Sequence, residues 1–72
     1  MLNFAEALKY QREINGYSQS SLAKATGISQ QNISLWEAGK NLPNIDFCVR
    51  LADFYGISLD ELVGRNLESK KT

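Results

Sequence analysis

The chain is divided at short intervals by residues that end one helix and begin the next. Each stretch of helical periodicity ends at a glycine, a residue that adopts the left-handed backbone conformation at helix ends without steric cost. Each stretch opens at a residue whose side-chain oxygen can cap free helix amides. The glycines are Gly16, Gly27, Gly39, Gly56 and Gly64, and the capping residues are Asn3, Ser18, Ser29, Asn44 and Ser58. Five starts predict about five short helices.

Two of these starts have the spacing of a capping box, in which an acid three residues on bonds back to the cap amide. They are Asn3 with Glu6 and Ser58 with Glu61. Pro43 separates the third helix from the fourth, because proline lacks an amide hydrogen and restricts the residue before it. The fourth helix is therefore expected to begin after Pro43.

The apolar residues recur every three or four positions, without the alternation typical of a strand. This pattern predicts an all-α fold, a compact bundle in which each helix buries one apolar stripe. The expected core is Leu8, Leu22, Ala23, Ile28, Ile33, Trp36, Leu51, Ala52, Tyr55, Ile57 and Leu62. Residues 1–66 are expected to form this single domain, and residues 67–72 a polar tail.

Several function classes are disfavoured by composition. No apolar run among the 72 residues is long enough to span a bilayer, and the N-terminus lacks the basic region of a signal peptide, so a cytoplasmic protein is expected. The chain has no histidine and one cysteine, Cys48, which falls on an apolar face and is expected to pack in the core. No metal, no cofactor and no enzymatic activity are therefore expected.

The formal net charge is zero, which by itself gives no support to nucleic-acid binding. The charges are unevenly distributed, however. Residues 9–40 carry four basic and two acidic side chains, whereas residues 41–68 carry two basic and five acidic ones. This polarity either presents the first half of the chain to DNA or is the ordinary scatter of a solvated surface.

The segment from Ser18 to Lys40 has the pattern of a helix-turn-helix. Two short helices that cross steeply need a small residue where they approach, a glycine in the turn and apolar residues that fix both helices to the body. Ala23 and Gly27 meet the first two needs. The apolar residues are Leu22, Ile28, Ile33 and Trp36.

Residues along most of the chain carry a resemblance to one known family. They are Leu8, Arg12, Gly16, Ser18, Gln19, Leu22, Ala23, Gly27, Ser29, Gln30, Gln31, Ile33, Trp36, Glu37, Gly39, Lys40, Pro43 and the segment 51–62. Over about residues 4–64 the chain resembles the phage-repressor helix-turn-helix family, also called the Cro or Xre type. The resemblance implies a transcriptional regulator, usually a repressor, that binds double-stranded DNA with its third helix in the major groove.

The outer face of the third helix is nearly uncharged. Amide side chains can pair with adenine, and small or apolar ones can touch a thymine methyl group, although the same face is also compatible with a solvated surface. The expected base contacts are Gln30, Gln31, Asn32, Ser34 and Leu35. The resemblance implies this role for the two glutamines. Asn32 and Ser34 are expected to contact bases or phosphate, and Leu35 either meets a methyl group or is idle.

A second set of residues is expected to contact the DNA backbone. It consists of Gln19, Ser29, Lys40, Asn41 and Lys24. The resemblance implies this role for Gln19 and for the loop residues Lys40 and Asn41, whereas Lys24 is either a phosphate contact or a solvated lysine. Arg12 and Glu37 resemble the internal ion pair of the family and are assigned a structural role.

Because one such domain covers only a half-site, a homodimer on a palindromic operator is expected. Its contact is assigned to the apolar residues Phe47, Phe54, Leu59, Val63 and Leu67. Phe47 and Phe54 can equally complete the core. Two alternatives remain open. The first is an antitoxin that binds a toxin and represses its own operon, since the same fold serves both roles. The second is a protein-interaction module, because the third helix contains no lysine or arginine.

Overall fold

A computed structural model describes residues 3–64 of the chain, which form five α-helices and no strand. The helices are α1 (Phe4–Ile14), α2 (Gln19–Thr26), α3 (Gln30–Glu37), α4 (Ile45–Tyr55) and α5 (Leu59–Leu62). The predicted all-α bundle is therefore confirmed. Within the described range no helix has the length and apolarity to cross a membrane. The predicted tail, residues 67–72, and the dimer residue Leu67 lie outside that range.

The helix boundaries follow from local capping. All five predicted capping residues stand at the N-cap of a helix, where each side chain accepts a hydrogen bond from an amide in the first turn. Ser58 and Glu61 form the predicted capping box. Asn3 caps the Glu6 amide at 2.8 Å, but only this half of its predicted box is formed. A complete box not predicted from the sequence joins Ser18 and Ser21 at the start of α2.

The core lies where the apolar stripes of the five helices meet. Its buried members are Leu8, Leu22, Ile28, Ile33, Trp36, Cys48, Leu51, Ala52 and Leu62. Ala23, Tyr55 and Ile57, which the sequence also assigns to the core, are partly buried against it. The Trp36 ring packs on Phe47 of α4 with a centroid separation of 5.2 Å, so α3 is fixed to the body by its largest side chain.

The turn between α2 and α3 is supported by a side chain from α4. Gly27 ends α2 with a φ of 78°, a left-handed conformation that suits glycine. Beside it, the Arg50 guanidinium donates a hydrogen bond from Nη2 to the Thr26 carbonyl oxygen at 2.7 Å. The same guanidinium lies 5.6 Å from the centroid of the Phe47 ring. A cation thus satisfies one of the free carbonyl groups at the C-terminal end of α2 and links this helix to α4.

We expect Ser18→Ala to lower the free energy of unfolding by about 1 kcal/mol, because the α2 amides lose their cap. Ser20→Ala, the same substitution on an exposed position inside α2, is the matched control and should leave stability within about 0.5 kcal/mol of the parent. Urea denaturation of the three proteins measures both effects. Equal midpoints for Ser18→Ala and Ser20→Ala would contradict the capping role.

Candidate nucleic-acid interface

The outer face of α3 is available to a ligand while the inner face is not. Gln30, Gln31 and Ser34 are exposed, whereas Ile33 and Trp36 on the opposite side are buried. The two remaining predicted base contacts, Asn32 and Leu35, are half-buried at the edges of this face. The five predicted base-contact residues therefore share one helix of eight residues, and the fully buried side chains of that helix are Ile33 and Trp36.

The predicted backbone contacts lie around the two ends of α3. Ser29 is its N-cap, and because the Ser29 hydroxyl accepts from the Asn32 amide at 3.1 Å, its own hydrogen remains available as a donor. Lys40 and Asn41 follow α3 in an exposed loop, in which both backbone amides donate to the Leu35 carbonyl oxygen at 3.0 and 3.4 Å. The loop is thereby held against the end of the helix.

The other two members of that set belong to α2. Lys24 is exposed in its last turn. Gln19 is the first residue of α2 and is half-buried, and its side-chain Nε2 donates to Glu37 Oε1 at 3.1 Å. The sequence places Gln19 at a helix start, but it gives no sign of this bond, because Gln19 and Glu37 are 18 residues apart and meet only when α2 packs beside α3.

A buried ion pair joins α1 to α3 directly behind this surface. Arg12 Nε lies 2.7 Å from Glu37 Oε2, and Arg12 Nη2 donates to Glu37 Oε1 at 2.9 Å, a bidentate arrangement. The third guanidinium bond runs from Nη1 to the Tyr17 carbonyl oxygen at 2.9 Å. The hydrogen bond to Glu37 raises the pKa of Arg12, against the opposing effect of burial. Both charges are therefore committed to the structure rather than to a ligand.

Burial raises the pKa of two other ionisable side chains in or beside the core, Tyr55 and Cys48. Desolvation raises the pKa of Tyr55 to about 12, because its hydroxyl oxygen is buried and the phenolate would lose hydration. The Tyr55 hydroxyl has no hydrogen-bond partner among the described residues. Burial also raises the pKa of the Cys48 thiol, which favours its unreactive protonated form.

The described residues assigned to a dimer contact differ in exposure: Phe47 and Val63 are half-buried, whereas Phe54 and Leu59 are exposed at 37% and 39%. Phe47 packs on Trp36, and the Phe54 ring lies 5.4 Å from both Tyr17 and Tyr55. Phe47 is therefore packed against the core, whereas Phe54 lies at the surface beside Tyr17 and Tyr55, and the assigned dimer contact stays a prediction. The most exposed large apolar side chains among the described residues are Leu42 and Ile45, at 76% and 65% exposure, and neither was selected from the sequence.

The described residues contain no cluster of three or more metal-ligating side chains. What the interface offers chemically is an array of neutral hydrogen-bonding groups on α3, with exposed ammonium groups at Lys24 and Lys40 beside it. Such groups can bind planar polar edges and phosphate oxygens.

Comparison with known proteins assigns most of the chain to one family. A family model described as Helix-turn-helix matches residues 8–62. The cryptic phage CTXphi transcriptional repressor RstR of Vibrio cholerae is 36% identical over 64 residues, covering 89% of this chain and 57% of that protein. The transcriptional regulator ImmR of Bacillus subtilis is 31% identical over 70 residues, covering 97% of this chain and 55% of that protein. The chain thus spans a little more than half the length of these relatives.

The fold is also shared with a solved structure. A transcriptional regulator from Listeria innocua matches with a TM-score of 0.75 at 27% sequence identity. The match covers 96% of this chain and 70% of the Listeria chain. The arrangement of helices described above is therefore that of a helix-turn-helix regulator.

We expect Arg12→Met to destabilise the fold by about 3 to 5 kcal/mol, because the Glu37 carboxylate, 6% exposed, loses its counter-charge. The double variant Arg12→Met with Glu37→Leu should recover most of this loss, since no unpaired charge remains. Urea denaturation monitored by circular dichroism compares the three proteins. A single variant as stable as the parent would show that the pair contributes nothing to the fold.

We expect stability to fall at alkaline pH through Tyr55. Its pKa of about 12 in the folded protein exceeds the value of about 10 in an unfolded chain, so its contribution is complete below pH 10 and is lost as the pH approaches 12. Because part of the ring reaches solvent, we expect a loss of about 1 to 2 kcal/mol. Urea denaturation at a series of pH values should show a weaker alkaline decline in Tyr55→Phe than in the parent.

Proposed function

Because this chain belongs to the helix-turn-helix family of the Cro or Xre type, we propose that it is a sequence-specific transcriptional regulator that binds double-stranded DNA through α3. The observation that carries the proposal is the separation of roles on α3. Its exposed side bears Gln30, Gln31 and Ser34, and its opposite side is buried through Ile33 and Trp36. A helix of this width fits the major groove, where base edges differ from one pair to the next.

Base recognition is assigned to the amide and apolar groups of α3. The Gln30 and Gln31 side chains can each donate to N7 or accept from N6 of adenine, and Asn32 and Ser34 provide shorter polar groups beside them. Leu35 has no polar atom in its side chain and is assigned to a thymine methyl group. This set favours an operator half-site rich in A·T pairs.

The backbone contacts place this helix in register on the duplex. Lys40 and Lys24 supply full charges, and Asn41, Ser29 and Gln19 supply neutral donors. The free amides at the starts of α2 and α3 add attraction for phosphate without a formal charge. A protein with a net charge of zero can approach DNA in this way, although each domain then depends on few ionic contacts.

We further propose that two copies bind together. One domain of this size covers a half-site, so a two-fold symmetric pair on half-sites about 34 Å apart doubles the contacts and selects a palindromic operator. Repression is favoured over activation by the likeness to the phage repressor of Vibrio cholerae.

The alternative function is a protein-interaction module, which the absence of lysine and arginine from α3 favours. The two functions respond differently to salt. DNA binding weakens steeply as salt is added, because condensed counterions are released from the phosphates, whereas an apolar protein contact changes little.

The proposal predicts that selection of bound duplexes from a random DNA library, at low and at moderate salt, enriches one roughly palindromic sequence. Gln30→Ala combined with Gln31→Ala should then abolish the preference among sites while the melting temperature stays within a few degrees of the parent, since both residues are exposed.

The matched control for that variant is Lys40→Ala, which removes an exposed charge instead of exposed amides. It should weaken binding to all sequences alike and reduce the slope of log affinity against log salt by about 1. Failure to enrich any site would contradict sequence-specific binding. Survival of the preference in the double glutamine variant would contradict the assigned base contacts.

A further inference from the structure

One carboxylate at the end of α3 connects three helices. Glu37 Oε2 accepts from Arg12 Nε of α1, and Glu37 Oε1 accepts both from Arg12 Nη2 at 2.9 Å and from Gln19 Nε2 of α2 at 3.1 Å. The charge of Glu37 is already balanced by Arg12. The bond to Gln19 is therefore not needed to balance the charge of Glu37. Its main effect is to orient the Gln19 amide.

That bond fixes which end of the Gln19 amide faces Glu37. A carboxylate accepts hydrogen bonds only, so the NH₂ group and not the carbonyl oxygen must point towards it. One of the two Nε2 hydrogens is used, and the planar geometry of the amide directs the second hydrogen away from Glu37. The amide thus keeps one free donor in a defined direction.

An open groove lies beside this amide, between α1, α2 and α3. Its volume is about 300 Å³, and its lining is Lys9, Arg12, Gln19, Ser34, Glu37 and Ala38. Lys9 is exposed in α1 and contributes a positive charge at the rim. Because Arg12 neutralises Glu37, the carboxylate in the groove does not present a net repulsive charge to an anion.

We propose that Glu37 is a positioning residue for DNA binding, which orients the Gln19 amide so that its second hydrogen is donated to a backbone phosphate between Gln19 and Lys9. The inference rests on the proposed DNA-binding function and adds a mechanism to it. Without Glu37 the amide is free to flip, and the flipped orientation turns a carbonyl oxygen towards the phosphate, where two acceptors repel each other.

A double-mutant cycle tests this role. Gln19→Met removes the amide and leaves the ion pair in place, whereas Arg12→Met with Glu37→Leu removes the orienting carboxylate without leaving a buried charge. We measure affinity for a fluorescein-labelled mixed-sequence duplex at low salt, because phosphate contacts do not depend on sequence. We expect a loss of roughly tenfold from either change, and little further loss when both are combined.

Losses that multiply instead of overlapping would overturn the proposal, since Arg12 or Glu37 would then act independently of Gln19. Gln11→Met is the matched control, because Gln11 lies on α1 but does not line the groove, and it should bind as the parent does. If the parent binds no duplex at low salt, the proposed function fails and the inference with it. If the parent binds and the cycle is additive, only the inference fails.

A measurement on the parent protein makes the test independent of variant folding. The Gln19 side-chain amide, assigned in ¹⁵N–¹H spectra by its absence from Gln19→Met, should give one hydrogen-bonded proton in the free protein. Addition of the same duplex should shift the other proton. A pair of proton shifts like those of solvent-exposed glutamine amides, unchanged when the duplex is added, would overturn the proposal.

Discussion

The buried contact between Arg12 and Glu37 is the interaction on which the rest of the surface depends. It joins α1 to α3 through two parallel hydrogen bonds, and the third guanidinium bond reaches the backbone at Tyr17, just before α2 begins. Ile33 and Trp36 also hold α3 in place by apolar packing, but such packing is non-directional. The ion pair adds direction, because a planar guanidinium meets a carboxylate in one preferred geometry.

The interface also explains how a chain of zero net charge can present a surface to DNA. Arg12, which lines the groove, is paired with the Glu37 carboxylate, and Arg50 donates a hydrogen bond to the Thr26 carbonyl oxygen. The charges that remain exposed near α2 and α3 are lysines, which are mobile and strongly hydrated. In the proposed function, specific contacts are therefore assigned mainly to amides and hydroxyl groups, whose positions are set by the helices that carry them.

Local features of the fold were predictable from the residues alone, whereas specific polar contacts between distant residues were predictable only where the family resemblance supplied them. Each of the five caps depends only on a side chain and an amide three residues away, so the starts at Asn3 and Ser58 can be predicted from the sequence alone. The box at Ser18 was missed because serine, rather than an acid, supplies the return bond. The bonds from Gln19 to Glu37 and from Arg50 to Thr26 join residues 18 and 24 positions apart, and they exist only because of how the helices pack. The family resemblance predicted the pair of Arg12 and Glu37, but it predicted neither of these two bonds.

The division of α3 into a buried side and an exposed side has a consequence for how such a chain can change over time. The side chains that hold the helix in place, Ile33 and Trp36, are not those at Gln30, Gln31 and Ser34. Replacements at the three exposed positions remove no core contact, so they alter the chemistry of the surface at small cost to folding. Stability and surface chemistry can therefore vary separately.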